Sequence, residues 1–275
     1  MHLDDMALFL FVPANRLDRL EKAVTTTADA VIVDLEDAVA LDQKEAARSG
    51  LVKALPAAAA RKPIILRING TGTEWHAQDM MIVTALPVAA VMLPKAESAV
   101  QCEEVAHQCR KSLVALLETG QGVHNALAIA QSSARLAFGN LDFAADLGLE
   151  QDRLALAHHR SCLVLASRVA GIAPPIDGVT QEFNDLEVIE DDARHGRTMG
   201  FSGKLLIHPR QIEPARRAFL PTQAEVEWAE RVLETAGSET GVLTFDGQMI
   251  DAPVLKRARQ IVTRSGSDTH KTKSV

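Results

Sequence analysis

The chain has 275 residues, 47% of them apolar and 24% charged, with a net charge of −7 at pH 7. Such a length can bury one large core, the balance is that of an ordinary globular protein, and the acidic surplus argues against a general nucleic-acid binder. No apolar run approaches a bilayer span and the start, MHLDDM, lacks the basic opening of a signal peptide, so a cytoplasmic protein with no membrane partner is expected.

The first apolar run is Ala7 to Val12, stopped by Pro13 and followed by NRLDRLEKAVTTTA. There Asn15 is a good N-cap, and Leu17, Leu20 and Val24 share a helical face. The alternation then repeats: strand 30–34 and helix 43–60, strand 63–68 and a helix from about Thr73, strand 88–93 and helix 97–111. Two more strands, 113–117 and 134–138, each run into acids, Glu118 after the first and Asp142 and Asp146 after the second. The spacing places strand seven at Gly171–Ile176 and strand eight at Lys204–Ile207, with helices 152–169 and 182–199 between them. Eight units at steps of roughly 20 to 40 residues, without an early GxGxxG, favour a (β/α)8 barrel over a doubly wound sheet. Residues 1–220 form that barrel in this reading. A helical and hairpin extension occupies 221–264, with the hairpin around Thr244–Ile250, and the polar stretch 265–275 is a disordered tail. Cys102, Cys109 and Cys162 show no CxxC or nearby His at ligand spacing, which suits small buried residues rather than a zinc site.

In a parallel barrel the residues just past each strand share one rim. Strand 1 supplies Pro13, Asn15 and Arg16; strand 2 Asp34, Glu36 and Asp37; strand 3 Arg67 and Asn69; strand 4 Pro94 and Lys95. Glu118, Asp142, His208 and Arg210 follow from strands 5, 6 and 8. Like charges at short range are costly unless a cation or shared proton relieves them, so Glu118 and Asp142 point to a hard divalent ion such as Mg2+, or else serve as solvated loop residues and helix caps. Arg67 suits bidentate recognition of a carboxylate or a developing oxyanion, or closes a salt bridge to Glu36 or Asp34. Lys95 could form a Schiff base, but neighbouring carboxylates favour its ammonium form and make it an electrostatic or structural partner. His208, followed by Pro209, reads as a helix cap.

The motifs VPANRLDRLEKA, DLEDAV, RIN, LPKAE, LETGQGV, FGNLDFAADLG, KLLIHPRQI and GQMIDAPV occur in the order seen in the HpcH/HpaI aldolase and citrate lyase β-subunit superfamily. The resemblance runs from Leu8 to about Ile261, and DLED after strand 2 resembles the branch that cleaves acyl-CoA rather than free acids. It implies Mg2+ on Glu118 and Asp142, substrate bound by Arg67 together with Glu118, Glu36 and Asp37, and coenzyme A, carried as part of the substrate, contacted through Pro13, Asn15, Arg16 and Lys22. It further implies that Asp251 acts as acid/base on a neighbouring subunit's site, within a trimer or hexamer in which the C-terminal extension packs on that neighbour. Met6-Ala7 and Ala14 stand where such chains have an Arg-Ser pair and the glycine of a VPG turn, a segment implicated in coenzyme A contact.

The implied reaction is Mg2+-dependent carbon–carbon cleavage of a 3-hydroxyacyl-CoA of the citramalyl-, malyl- or citryl-CoA type, giving an acyl-CoA and a 2-oxo acid. The alternatives are a β subunit acting on an acyl-carrier thioester inside a larger complex, a binding protein with little activity alone, and a free-acid or Schiff-base aldolase.

Overall fold

The computed structural model describes residues 2–238, 243–245 and 248–269. Short apolar runs become strands: β1 (Leu8–Pro13), β2 (Ala30–Asp34), β3 (Ile64–Arg67), β4 (Ala90–Leu93), β5 (Ser112–Leu117), β6 (Arg135–Phe138), β7 (Ile176–Asp177) and β8 (Gly203–Leu206). Each pairs in parallel with the next, and β8 returns to β1 through Leu8↔Lys204, Phe9↔Leu205 and Leu10↔Leu206, closing a (β/α)8 barrel with helices between the strands. Closure leaves no strand edge, and both faces are covered, which is why β2 is buried at all five positions instead of alternating buried and exposed. Alternation instead separates the interior from the helix layer: Phe9, Ile32, Ile65, Met92, Val114, Leu116 and Leu205 pack inside the barrel, while Val31 and Val33 project toward the helices.

Register sets the rim. Pro13 pairs with Asp34 and Asp34 with Arg67, and Leu117 pairs with Phe138, so the strands finish level and the next residues emerge side by side. At the opposite end, Leu3 and Met6 close the core and Arg135 is fully buried. Its guanidinium donates to Leu3 O (2.8 Å), Met6 O (2.7 Å), Pro174 O (3.0 Å) and Ser202 Oγ (2.8 Å), and lies over the Phe9 ring. Burial pushes its pKa down to about 10, which still leaves it a cation at neutral pH.

Three expectations shift. The seventh strand is Ile176–Asp177 rather than 171–176, because Gly171 at φ 75° caps the preceding helix and Pro174 and Pro175 have no N–H for a ladder. The first helix spans Leu17–Ala23 behind Arg16, and Asn15 is not its cap: its amide donates to Gln43 Oε1 at 2.6 Å. The last helix, Ala252–Thr269, runs into the stretch expected to be a disordered tail, since backbone i→i−4 pairing needs no apolar side chains; residues 270–275 lie outside those described.

The chain divides into two compact units, Met1–Arg216 and Arg217–Val275. In the second, helix Gln223–Ser238, an antiparallel hairpin (Leu243–Phe245 with Gln248–Ile250) and helix Ala252–Thr269 surround a core of Ala229, Val232, Ile250, Ala258 and Ile261. Among the described residues no helix is long and apolar enough to cross a membrane.

Candidate active site

The rim is built around Arg67, the last residue of β3. Its Nε and Nη2 donate to Asp34 Oδ1 and Oδ2, both at 2.7 Å, in a bidentate fork made possible by the Asp34↔Arg67 register. Asp34 also accepts from the backbone N–H groups of Glu36 (2.8 Å) and Ala38 (3.0 Å), so one carboxylate fixes both the guanidinium and the DLED loop. Burial opposes the charge on Arg67, but Asp34, Glu36 and Asp37 more than offset it and raise its pKa. Its third nitrogen, Nη1, lies 3.1 Å from Glu36 Oε2 and 3.6 Å from Asp37. Glu36 Oε2 is buried and receives no aligned hydrogen bond, so the contact is an ion pair open to rearrangement. From below, the buried Lys44 ammonium binds Leu35 O, Glu36 O and Asn69 Oδ1, each at 2.7 Å, and holds the loop in place.

Glu118 follows β5 and is almost wholly buried. Its Oε1 accepts the Lys95 backbone N–H at 2.8 Å, and Oε2 has no hydrogen-bond donor among the described residues. Burial first, and then the charges of Glu36 and Asp142 against the opposing pull of Arg67, push its pKa up to about 8. Gly139, after β6, allows this approach: a Cβ there would lie 2.5 Å from Glu118 Cβ and 2.6 Å from Oε2. Asp142 sits in the first turn of helix Asn140–Leu147 and is exposed. Asp146 is spent otherwise, accepting the Gly120 N–H at 2.7 Å.

Arg67, Glu118 and Asp142 open on a cavity of about 770 Å³ whose wall also carries Asp34, Asp37, Pro13 and Lys22, with Phe11, Leu116, Phe138, Val179 and Leu205 as its apolar part. Of the four residues expected to contact coenzyme A, Pro13 and Lys22 line this cavity. Asn15 and Arg16 do not, because Asn15 is turned to Gln43 and Arg16 is forked onto Asp18 at 2.9–3.0 Å. Arg19 takes their place in the wall; the signal for it was its i, i+3 spacing from Lys22, which puts both cations on one side of the first helix. His208 also lines the cavity and caps as expected, its Nδ1 accepting the Arg210 N–H at 3.1 Å while its ring stacks on Phe183. Asp251 belongs to the second unit, where its Oδ1 accepts the Val254 N–H at 3.0 Å and caps the last helix.

The donor set fits a hard divalent cation. Among the described residues no group of three or more His, Cys, Asp or Glu side chains could hold a metal, so such an ion would take two carboxylates here and complete its shell with water or substrate oxygen. Mg2+ is commonly held in this way, and a cation would offset the burial and the neighbouring negative charges that push the Glu118 pKa up.

The profile of the HpcH/HpaI aldolase/citrate lyase family matches residues 7–209. A citrate lyase subunit beta-like protein of Mycobacterium tuberculosis is 38% identical over 270 residues, covering 95% of this chain and 96% of its own length. A (3S)-malyl-CoA thioesterase of Cereibacter sphaeroides is 36% identical over 266 residues, with 93% of each chain covered. Among solved structures, that of CitE from Mycobacterium tuberculosis in complex with magnesium, acetoacetate and coenzyme A superposes with a TM-score of 0.87 at 36% identity, covering 96% of this chain and all of the other. Barrel, rim and pairwise identity agree: this chain belongs to the HpcH/HpaI aldolase/citrate lyase family.

Proposed function

We propose that this enzyme is a Mg2+-dependent carbon–carbon lyase that cleaves a 3-hydroxyacyl-CoA of the citramalyl-, malyl- or citryl-CoA type into an acyl-CoA and a 2-oxo acid. The observation that carries the reading is the pairing of Glu118 and Asp142 in one cavity wall with Arg67. Glu118 and Asp142 would hold the ion, which when bound supplies Lewis-acid stabilisation of a developing alkoxide.

Cleavage requires loss of the hydroxyl proton, flow of the carbon–carbon bond's electrons into the thioester enolate, and protonation of its α-carbon. Arg67 keeps its charge throughout, because Asp34 holds it, and directs Nη1 toward the oxygen of the forming 2-oxo acid. Asp37 lines the same cavity, whereas Glu36, also expected to bind substrate, is not in its wall and acts from behind through its ion pairs with Arg67 and Lys95. Lys95 stays an ammonium: burial works against it, but the Glu36 carboxylate at 2.9 Å raises its pKa overall, which disfavours a Schiff base. Arg19 and Lys22, with Pro13, offer two cations to the phosphates of coenzyme A. Asp251 is assigned the proton transfer at the thioester α-carbon, delivered from a second copy of the chain in a trimer or hexamer. Asp251→Asn should then keep Mg2+ and product binding while losing turnover; unchanged turnover removes Asp251 from the mechanism.

The 36% identical relatives named (3S)-malyl-CoA thioesterase support a second reading, hydrolysis of the thioester in the same cavity. One assay separates the two. The purified chain is offered citramalyl-, malyl- and citryl-CoA with Mg2+ or with EDTA, following 2-oxo acid and free thiol together. Oxo acid without thiol supports the lyase, thiol without oxo acid the thioesterase, and turnover indifferent to EDTA ends the metal reading.

A further inference from the structure

Lys95 is one of two non-glycine residues with positive φ among those described, at 47°. L side chains occupy this left-handed region at a cost, and a non-glycine residue remains there only where its surroundings hold it. Its neighbours show what holds it. After β4, the chain bends at Pro94-Lys95 and Ala96 rejoins β5 through its N–H to Leu116 O at 3.2 Å. On the other side, Gly122 leaves room for Ala96 O, which a Cβ at that position would meet at 2.5 Å. Pinned in this way, the Lys95 N–H points at Glu118 Oε1 (2.8 Å), and its side chain spans the rim to Glu36 Oε1 (2.9 Å). Glu36 in turn contacts Arg67 Nη1 at 3.1 Å.

We propose that Lys95 is a positioning residue: its left-handed backbone fixes one oxygen of Glu118 so that the other faces the cavity, and its ammonium, through Glu36, ties that carboxylate to the Arg67 cluster. The inference rests on the metal reading of Glu118 and Asp142. Two functions are therefore carried by separate parts of one residue. The amide serves the metal ligand, whereas the ammonium serves the substrate-recognition cluster.

Substitutions that remove the same charge but differ in tolerance for positive φ separate the two parts. The full-length Lys95→Gly, Lys95→Asn, Lys95→Ala and Lys95→Val chains are titrated with Mn2+, a paramagnetic stand-in for Mg2+ at oxygen sites, and free ion is read by electron paramagnetic resonance. Glycine and asparagine accept the left-handed region, alanine less well, and a β-branched valine least of all. Mn2+ affinity should stay within about threefold of wild type for Gly and Asn and fall at least tenfold for Val, with Ala between. Pyruvate binding to the Mn2+-loaded chain should weaken in all four variants alike, since all lose the tie to Glu36. Equal Mn2+ affinity across the set overturns the proposal, because a purely electrostatic Lys95 would make the four variants indistinguishable. If the Val chain does not fold, as judged by its thermal melt, the ranking of Gly and Asn above Ala decides in the same way. A wild-type chain that takes up no Mn2+ overturns the metal reading and this inference together, whereas wild-type binding with an unranked set overturns this inference alone.

Discussion

The two ends of the barrel handle buried charge in opposite ways. At the base, the buried Arg135 cation donates to four neutral oxygens. At the mouth, Asp34 and Glu36 pair with Arg67 and Lys95, Glu36 Oε2 lacks an aligned donor, and burial first, then the charges of Glu36 and the exposed Asp142, force the Glu118 carboxyl up to about 8. Oxygens left available at the mouth can take a ligand; those at the base cannot. The base is arranged for stability and the mouth against it, a division typical of this fold.

The comparison is broken most forcefully at Glu118. Glu118→Gln keeps the shape of the side chain and removes its charge, so turnover should drop about a thousandfold. The metal-free variant should nonetheless melt no lower than wild type, because a buried acid among like charges has been removed. A variant that keeps wild-type turnover in EDTA would end the case for a metal at the mouth.

Arg135→Met is the reverse experiment. It strands the Met6 carbonyl, leaves those of Leu3 and Pro174 with only the Met6 N–H and the Ser202 hydroxyl as donors, and should cost about 3 kcal/mol in urea denaturation. At temperatures where the variant remains folded, Mn2+ affinity should match wild type. A change in metal affinity with little loss of stability would show that the two ends are not independent.

The third test returns to the mouth through a residue with no side chain. Gly139→Ala would place a methyl 2.6 Å from Glu118 Oε2, so the carboxylate must move. Mn2+ affinity should fall about tenfold, the usual scale for disturbing the support of a metal ligand, with only a small fall in thermal stability. Full affinity would mean that Glu118 does not need the orientation seen here.

These tests also mark what could be read from the sequence. The barrel was legible because strand-length apolar runs alternate with helical periodicity eight times, and the parallel arrangement alone brings Arg67, Glu118 and Asp142 to one rim. Lys22 and Arg16 were both expected to contact coenzyme A; Lys22 lines the cavity, whereas Arg16 does not. Its local partner Asp18 lies two residues away, and nothing in the pattern shows that this fork wins over the cavity. The roles of Gly139 and of the Lys95 amide were hidden for another reason. Both depend on where the backbone of one strand end passes the side chain of another, a tertiary relation without local periodicity. Arg135 was likewise unreadable, since a charged residue opening an apolar strand looks like an exposed one until Leu3 and Met6 fold under it.

The smallest expected effect lies at neither end but in the wall behind β7 and β8. His159, on helix Arg153–Ala170, and His195, on helix Leu186–Met199, each bury a ring nitrogen without a hydrogen-bond partner. Burial lowers the pKa of both, helped by His158 at the first and by Arg160 and Arg153 at the second, where Asp177 and Asp192 only partly oppose it. A histidine with a lowered folded pKa binds its proton more readily when unfolded. Its contribution to stability is therefore complete above about 6.5 and declines as pH falls below that value. Arg135 cannot produce such a slope, because it stays charged and its acceptors do not titrate. Glu118 and Glu36 contribute with the opposite sign, since protonating a raised carboxyl favours the folded state as pH falls, so the measurement belongs in the Glu118→Gln background, where the remaining Glu36 contribution is common to the chains compared. There, melting at pH 7.5 and 5.5 should show a modest loss on acidification, and adding His159→Phe and His195→Gln should flatten it. An undiminished slope in the triple variant would move the acid sensitivity out of the wall and back to one of the two ends.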